Sequence, residues 1–224
     1  MKLSVVMTSI NEAKSIVGMI EEIRKYAPSD TEIVLVDSSS DATPELASKL
    51  GARVIKQAPQ GHGIALKKAL GEATGDIVIT SDCDLTYPMD KIPEFVKLIE
   101  EGYDLVSGCR MTQELKKEMP WANKLANYAF ALIVRVLYGI NTHDVTTGMF
   151  AMKRSYAHID WKGDRTLPAE IIIRSNLMKK KYLEVPISYK IRVGETTLQR
   201  WRSGEAYLRC FFYWKFGWFS TGEL

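Results

Sequence analysis

Two aspartates separated by a single residue, Asp82 and Asp84, directly follow a run of apolar, β-branched residues at 77–79. Alternate residues of an extended chain project to the same side, so both carboxylates can face one cation. Mg²⁺ and Mn²⁺ favour carboxylate oxygens and commonly complete their coordination with substrate phosphates. The pattern therefore predicts a divalent-metal site that holds a diphosphate. The alternative is a solvated turn in which an aspartate caps the next helix.

A third carboxylate, that of Asp37, ends another apolar run at 33–36. An acidic side chain in this place can accept hydrogen bonds from the ribose or the base of a nucleotide. A serine-rich turn then leads to Asp41, which directly precedes a predicted helix. We therefore expect Asp37 to bind a ligand and Asp41 to cap the helix.

Two glycines, Gly61 and Gly63, flank His62 at the start of a predicted helix. Glycine lets backbone N–H groups approach a ligand closely, and the N-terminus of a helix attracts anions. The spacing is not that of a Gly-x-Gly-x-x-Gly fingerprint, because position 66 is Leu66. Taken alone, the turn is a weak indication of phosphate binding.

These polar turns follow predicted strands, and amphipathic segments separate the strands. The predicted strands of the first half are 3–7, 33–36, 53–55, 77–79 and 105–106, and the amphipathic segments are 12–26, 43–50, 63–72 and 90–101. In the second half a long helix at 121–138 precedes a strand at 148–153, a helix near 168–180 and a strand at 182–191. The alternation predicts an α/β fold with a mostly parallel central sheet, helices on both faces, and ligands at the carboxyl ends of the strands.

The composition is that of an ordinary globular protein, with 224 residues of which 46% are hydrophobic and 25% charged. A chain of this length buries enough surface to fold without metal or disulfide staples. Its three cysteines, Cys83, Cys109 and Cys210, are odd in number and widely spaced, which indicates a reducing compartment. No apolar run approaches the length of a membrane span, and residues 1–7 are predicted to form a strand rather than a signal peptide. We therefore expect a cytoplasmic location.

Charge and aromatic residues are unevenly distributed along the chain. The net charge of +3 is too small to indicate a nucleic-acid partner, but residues 174–215 carry +7 and the remainder −4. Nine of the 22 aromatic residues lie in the last 24 positions. A basic, aromatic, amphipathic helix is therefore predicted in the tail, 199–224, where it can contact a membrane surface. The alternatives are that the tail packs on the body or on a second copy of the chain, as in a homo-oligomer.

Several motifs occur together in a fixed order. Those of the first half are Thr8-Ser9-Ile10-Asn11-Glu12, Asp37 through Thr43, Gly61 through Leu66 and Asp82-Cys83-Asp84-Leu85. In this order they resemble inverting GT-A glycosyltransferases of family 2. Those of the second half are Ser107 through Arg110, Asp144 through Met149, Glu184 through Ile187 and Arg192 through Thr196. These are similar to the polyprenyl-phosphate (dolichyl-phosphate) mannosyl- and glucosyltransferase branch, and the resemblance spans about residues 3–198.

The resemblance implies a GT-A catalytic domain at 1–198, with a donor-nucleotide half at 1–110 and an acceptor half at 111–198. It implies a nucleotide-diphosphate sugar as donor and Mg²⁺ or Mn²⁺ at Asp84, with Asp82 on the metal or the ribose. The other donor-binding residues that it implies are Ser9, Asn11, Glu12, Asp37, Gly61 and Gly63. A cation at the departing diphosphate would stabilise the negative charge that develops there.

The same resemblance implies that a single sugar, from a donor of the GDP-mannose or UDP-glucose type, is transferred to a polyprenyl phosphate at the cytoplasmic membrane surface. Arg110 and Arg192 would then clamp the acceptor phosphate, since guanidinium binds phosphate bidentately. A hydroxyl acceptor on a soluble metabolite or glycan would instead need a general base, for which Glu170 or Asp144 is the candidate.

Two positions where this branch commonly carries a cation are Phe150 and Thr197 in this chain. The hydroxyl acceptor therefore remains an alternative. A non-catalytic nucleotide-sugar-binding subunit is a further one.

Overall fold

The computed structural model describes residues 1–111, 121–189 and 200–219. Its strands are β1 (Leu3–Ser9), β2 (Glu32–Asp37), β3 (Arg53–Lys56), β4 (Ile77–Asp82), β5 (Leu105–Cys109), β6 (Phe150–Lys153) and β7 (Tyr182–Pro186). Its helices are α1 (Ile16–Tyr26), α2 (Thr43–Lys49), α3 (His62–Glu72), α4 (Ile92–Glu100), α5 (Trp121–Tyr138), α6 (Arg154–Ala157), α7 (Leu167–Leu177) and α8 (Arg200–Phe216). A short 3-10 helix, Met89–Lys91, leads into α4.

The strands form one seven-stranded sheet in the order β3-β2-β1-β4-β6-β5-β7. β1 is paired in parallel with β2 on one side and with β4 on the other. β5 and β7 are also parallel, whereas β6 runs antiparallel to both of its neighbours, β4 and β5. The carboxyl ends of β1, β2 and β4 therefore lie side by side at one edge of the sheet.

Helices cover both faces of the sheet because each carries an apolar stripe. One face packs against α1, α2 and α4, and α4 buries Ile92, Phe95 and Ile99 at helical spacing. The other face packs against α3, α5, α7 and α8. The predicted α/β fold, with a mostly parallel sheet between two helical layers, is confirmed.

One feature was not predicted, and one strand differs in its bounds. The antiparallel direction of β6 is not visible in the sequence, because both directions share the two-residue period of side chains. The strand predicted at 182–191 is described as Tyr182–Pro186, and its last two residues lie outside the described part of the chain.

The C-terminal helix α8 packs on the body, which was the alternative to membrane contact. Tyr207, Cys210 and Phe211 are buried on one side of α8. The ring of Phe130 in α5 stacks on Tyr207 with 5.3 Å between centroids. The hydroxyl of Tyr138 donates a hydrogen bond to the backbone carbonyl of Phe211. α8 thus directs Tyr207, Cys210 and Phe211 to the body, where it contacts α5 and α7, while Leu208 and Phe216 stay exposed. No helix in the described residues is long and apolar enough to cross a membrane.

Candidate functional site

The candidate site lies where β1, β2 and β4 end. In the register of the sheet Ser9 of β1 is paired with Asp37 of β2, and Thr8 of β1 is paired with Asp82 of β4. Neighbouring strands are about 4.8 Å apart, so roughly 10 Å separates the backbones of the two aspartates. The structure therefore places two of the predicted ligand-binding acids on either side of the end of β1.

Asp37 is 1% exposed and held in a fixed orientation by serine side chains. The hydroxyls of Ser9 and Ser39 donate to its Oδ1 at 2.7 and 2.6 Å, and the Ser39 N–H donates to its Oδ2 at 3.2 Å. Each carboxylate oxygen can accept two hydrogen bonds. Oδ2 therefore can accept a further hydrogen bond from a ligand hydroxyl or N–H. Ser9 orients the Asp37 carboxylate through its hydrogen bond to Oδ1.

Asn11 joins the turn after β1 to the turn after β2. It has a φ of +56°, a left-handed conformation that asparagine tolerates better than most residues. Its N–H donates to Ser39 Oγ at 2.7 Å, and its side-chain oxygen accepts the N–H of Ser40 at 3.0 Å. Asn11 therefore positions the serine turn beside Asp37.

Two acids at the starts of helices also join these turns. The backbone N–H of Glu12 donates to Thr43 Oγ1 at 2.9 Å, and its carboxylate accepts the hydroxyl of Ser15 at 2.9 Å. Asp41 accepts the N–H of Thr43, the first residue of α2, at 3.0 Å. Asp41 lies one position before the N-cap residue, Ala42, so it accepts a hydrogen bond from the start of α2 without being its N-cap residue.

Asp82 is the last residue of β4, and Asp84 lies in the strained turn that follows it. Asp82 ends the strand with its side chain 35% exposed, and Asp84 is 3% exposed. Oδ1 of Asp84 accepts both the N–H and the hydroxyl of Thr86, at 3.1 and 2.6 Å. Leu85, between Asp84 and Thr86, has a φ of +62°, and this left-handed conformation costs a non-glycine residue about 1–2 kcal/mol. The turn is therefore held in a conformation that orients Asp84.

The chemistry of this donor set fits Mg²⁺ or Mn²⁺. Among the residues that the structure describes, no group of three or more His, Cys, Asp or Glu side chains is arranged to hold a metal ion. Two carboxylates are the set that Mg²⁺ uses when substrate phosphates supply further oxygens. Cys83, between the two acids, is 2% exposed and packs in the apolar core under α1 and α4, where burial raises the pKa of its thiol well above the usual value.

The glycine turn lies against a loop that sequence analysis did not connect with it. The backbone N–H of Ile64 donates to Oδ1 of Asp164 at 2.9 Å. A Cβ atom on Gly63 would lie 1.8 Å from the carbonyl oxygen of Asp164, and Gly61 has a φ of +119°. The glycines therefore allow a close approach of the loop at Asp164, whose carboxylate is the anion at the start of α3 in this structure, and the predicted contact of the turn with a ligand stays a prediction. No local motif marks Asp164, because its partner is 100 positions away.

The glycine turn also lies close to Asp82. Nε2 of His62 lies 3.5 Å from Oδ1 of Asp82. Gly148 packs on the other side, where a Cβ atom would lie 3.4 Å from Oδ2 of Asp82 and 3.1 Å from the hydroxyl of Tyr87. The N–H of Gly148 donates to the Tyr87 hydroxyl at 2.6 Å. Tyr87 was not singled out from the sequence, since an isolated tyrosine after an acidic turn carries no distinctive spacing.

Arg110 and Asp144 form a buried ion pair rather than two separate functional groups. Nε and Nη2 of Arg110 donate to Oδ2 and Oδ1 of Asp144 at 2.7 and 2.9 Å, and Asn127 of α5 donates to Oδ1 at 2.9 Å. Asp144 is fully buried and Arg110 is 9% exposed. Burial alone would raise the pKa of Asp144, but Arg110 and the hydrogen bonds hold it below its usual value. A carboxylate with this pKa is a poor proton acceptor.

Glu170, the other candidate base, is also fully buried and paired. Its carboxylate accepts the backbone N–H groups of Lys162 and Gly163 and the guanidinium of Arg174, which lies 3.0 Å from Oε1. These contacts hold the loop that carries Asp164 against the glycine turn. The geometry favours a structural role for Glu170 over proton transfer.

The structure therefore gathers Ser9, Asp37, Asp82, Asp84 and the glycine turn at one edge of the sheet. Arg110 and Asp144 form a neighbouring cluster, connected through Tyr189, whose ring lies 5.2 Å from the Arg110 guanidinium and 5.5 Å from the ring of Tyr87. The remaining predicted clamp, Arg192, lies outside the described residues.

Comparison with known proteins identifies relatives of this chain. The family model for glycosyl transferase family 2 matches residues 4–159. A dolichyl-phosphate hexose transferase of Haloferax volcanii is 43% identical over 91% of this chain and 90% of its own length. A dolichol-phosphate mannosyltransferase of Pyrococcus furiosus is 28% identical over 89% of this chain, which spans 60% of that protein.

Solved structures of low sequence identity share the fold. Glucosyl-3-phosphoglycerate synthase of Mycobacterium tuberculosis, in complex with Mn²⁺, UDP and glucosyl-3-phosphoglycerate, gives a TM-score of 0.74 at 20% identity. The similarity covers 96% of this chain and 80% of that one. The predicted GT-A architecture is thereby confirmed.

Two glycines of α3 provide a matched test of the glycine turn. We expect Gly63→Ala to lower the free energy of unfolding by about 1–3 kcal/mol, because the new methyl group must displace the Asp164 backbone. Gly71→Ala, whose Cβ would meet nothing within 4 Å, should be neutral or stabilise by about 0.5–1 kcal/mol. Urea denaturation of both variants measures the difference, and equal stabilities would contradict the close approach of Asp164.

Asp144→Asn tests the buried ion pair. It should lower the free energy of unfolding by about 3–5 kcal/mol at neutral pH, because Arg110 keeps its charge without a partner. The folded-state pKa of Asp144 is depressed, so its stabilising effect is present above an unfolded pKa of about 3.9 and is lost as the pH falls below it. The gap between wild type and variant should therefore narrow in acid. Asp30→Asn, at an exposed position in the turn before β2, is the control and should show no such gap at any pH.

Proposed function

The chain belongs to glycosyl transferase family 2, and we propose that it transfers a single hexose from a nucleotide-diphosphate sugar to a polyprenyl phosphate. The observation that carries the acceptor is the 43% identity, over nine-tenths of both chains, with a relative named as a dolichyl-phosphate hexose transferase. The buried ion pairs of Asp144 and Glu170 support the same acceptor on chemical grounds.

The edge formed by β1, β2 and β4 is the proposed donor site. Asp37, oriented by Ser9 and Ser39, would accept hydrogen bonds from the ribose or base of the nucleotide. Asp84 and Asp82 would hold Mg²⁺ or Mn²⁺, which when bound would neutralise negative charge that develops on the leaving diphosphate. The complex of the related fold with Mn²⁺ and UDP supports a divalent cation.

An acceptor phosphate explains why the site has no accessible base at Asp144 or Glu170. A phosphate monoester is already ionised near neutral pH, so its oxygen can attack the anomeric carbon without losing a proton to the enzyme. The bond between that carbon and the diphosphate oxygen breaks as the new bond forms, and the nucleoside diphosphate leaves with inversion. Cationic positioning then matters most, and we assign it to Arg110, whose guanidinium Asp144 orients.

We place the reaction at the cytoplasmic face of a membrane. The acceptor that we propose is anchored in a bilayer by its prenyl chain, whereas nucleotide sugars are water-soluble. Three cysteines that are buried and unpaired as disulfides are consistent with a reducing compartment. The protein would therefore meet its lipid from the aqueous side.

Asp84→Asn should abolish sugar transfer, with a loss of about a thousandfold or more, because the amide removes the charge that holds the cation. Asp90→Asn, a change of the same kind at an exposed residue of the 3-10 helix, should leave transfer unchanged. Transfer of labelled sugar is measured with GDP- and UDP-sugars and Mn²⁺, and circular dichroism checks the fold. Full activity of Asp84→Asn would overturn the metal role of Asp84.

An acceptor series tests the reaction itself. Polyprenyl phosphate should accept the sugar, whereas the unphosphorylated polyprenol of the same length should not, because its hydroxyl needs a base. Transfer to the alcohol, or to a soluble hydroxyl compound in place of the phosphate, would refute the proposed acceptor. Binding of the nucleotide sugar without turnover on any acceptor would indicate a binding subunit instead.

A further inference from the structure

Exposed apolar side chains are concentrated on one group of helices. Among the described residues, the large hydrophobic side chains that are exposed lie on or directly after α5, α7 and α8, apart from Met1 and Ile10. α5 contributes the longest row, formed by Trp121, Leu125, Tyr128, Leu132 and Val136. Their exposures of 45–76% are high for residues of this size in a folded chain.

The row on α5 follows the helical repeat. Its members are three or four positions apart, so they share one face that is about 22 Å long at 1.5 Å per residue. The opposite face of α5 buries Ala131, Val134 and Tyr138 against the body. α5 is therefore apolar on both sides, which packing against its own domain does not require. We call this row the α5 outer face.

The charged residues of α5 itself are positive. α5 contains no Asp or Glu, and its two charged residues are Lys124 and Arg135. α7 ends at Leu177, which is exposed, and the chain continues through Met178 to three lysines at 179–181. This distribution complements an anionic surface and opposes a second copy of the same face, where cations would meet cations.

The aromatic residues of the face favour a lipid surface over a protein partner. Trp121 and Tyr128 are 76% and 45% exposed, and these side chains are the ones that settle at the level of lipid headgroups. Basic residues beside such rings bind anionic headgroups, as on helices that lie in the plane of a bilayer. An anionic bilayer therefore matches both the apolar and the charged character of the surface.

α5 also connects this surface to the proposed acceptor site. Asn127, on the buried side of the helix, donates a hydrogen bond to Oδ1 of Asp144 at 2.9 Å. Asp144 in turn holds the guanidinium of Arg110. One side of α5 thus contacts the ion pair assigned to the acceptor phosphate, and the other side is the exposed apolar row.

We propose that the α5 outer face, rather than α8, rests in the headgroup region of an anionic bilayer and so presents Arg110 to a phosphate at the membrane surface. The link to Arg110 depends on the proposed function, whereas the membrane surface itself does not. The tail helix α8 buries Tyr207, Cys210 and Phe211 in the body and serves as support for α5.

Vesicle co-sedimentation tests the surface. The full chain should bind vesicles of equal parts phosphatidylglycerol and phosphatidylcholine, and added salt should weaken the binding. Leu125→Glu with Leu132→Glu should weaken it about tenfold or more, because two leucines no longer enter the apolar layer and two like charges meet the lipid. Leu208→Glu with Phe216→Glu, which places the same two charges on exposed positions of α8, is the matched control and should bind as wild type does.

Both glutamates on α5 stand at exposed positions, and thermal unfolding verifies that the α5 double variant is folded. If the folded variant binds vesicles as wild type does, the proposal is overturned. It is also overturned if light scattering shows a wild-type dimer that the variant converts to a monomer.

A short-chain, water-soluble prenyl phosphate separates this proposal from the proposed function. The α5 double variant should use it as well as wild type does, and should fail only with long-chain acceptor in vesicles. Loss of activity on the soluble acceptor would refute a pure membrane role for the face. If wild type binds vesicles through α5 but transfers sugar to no phosphate, the proposed function fails and the membrane surface stands.

Discussion

The candidate site depends on the parallel pairing of β1 with both β2 and β4. Because Ser9 is in register with Asp37 and Thr8 with Asp82, the sheet sets the separation of two acids that come from distant parts of the sequence. A slip of one residue in either pairing would turn one of these side chains to the other face. Loops then refine the positions, but the spacing between Asp37 and Asp82 is set by the backbone hydrogen bonds of the sheet.

Two buried carboxylate–arginine ion pairs stabilise the segments around this edge of the sheet. The ion pair of Asp144 and Arg110 lies next to the edge formed by β1, β2 and β4. The ion pair of Glu170 and Arg174 holds the loop that carries Asp164 against the glycine turn. Removing one partner of such a pair leaves an uncompensated charge in a poorly solvated place. Replacing either residue of a pair is therefore expected to lower the free energy of unfolding strongly. Carboxylates in these pairs stabilise and orient other groups, which agrees with an acceptor that arrives already ionised.

The sequence was informative where the signal was local. The places of Asp37 and Asp82 at strand ends, and of Asp84 in the turn that follows, could be predicted because the strands are apolar runs, and helical periodicity was enough to place α5 and α8. It was uninformative where two distant segments meet. Asp164 touches Gly63 across the fold, and Arg110 and Asp144 looked like independent functional groups until their contact was visible. The direction of β6 was also hidden, because side chains alternate in the same way in parallel and antiparallel strands.

The crowding of carboxylates at the donor edge has a thermodynamic consequence. Asp37, Asp82 and Asp84 share this edge, and Asp164 stands at the start of α3 nearby. A diphosphate that enters such a place adds to the negative charge, and a divalent cation reduces it. If the edge binds both ligands as proposed, each would raise the affinity for the other by the same factor, since linkage between two binding equilibria is reciprocal. The acids would thus couple donor binding to cation binding.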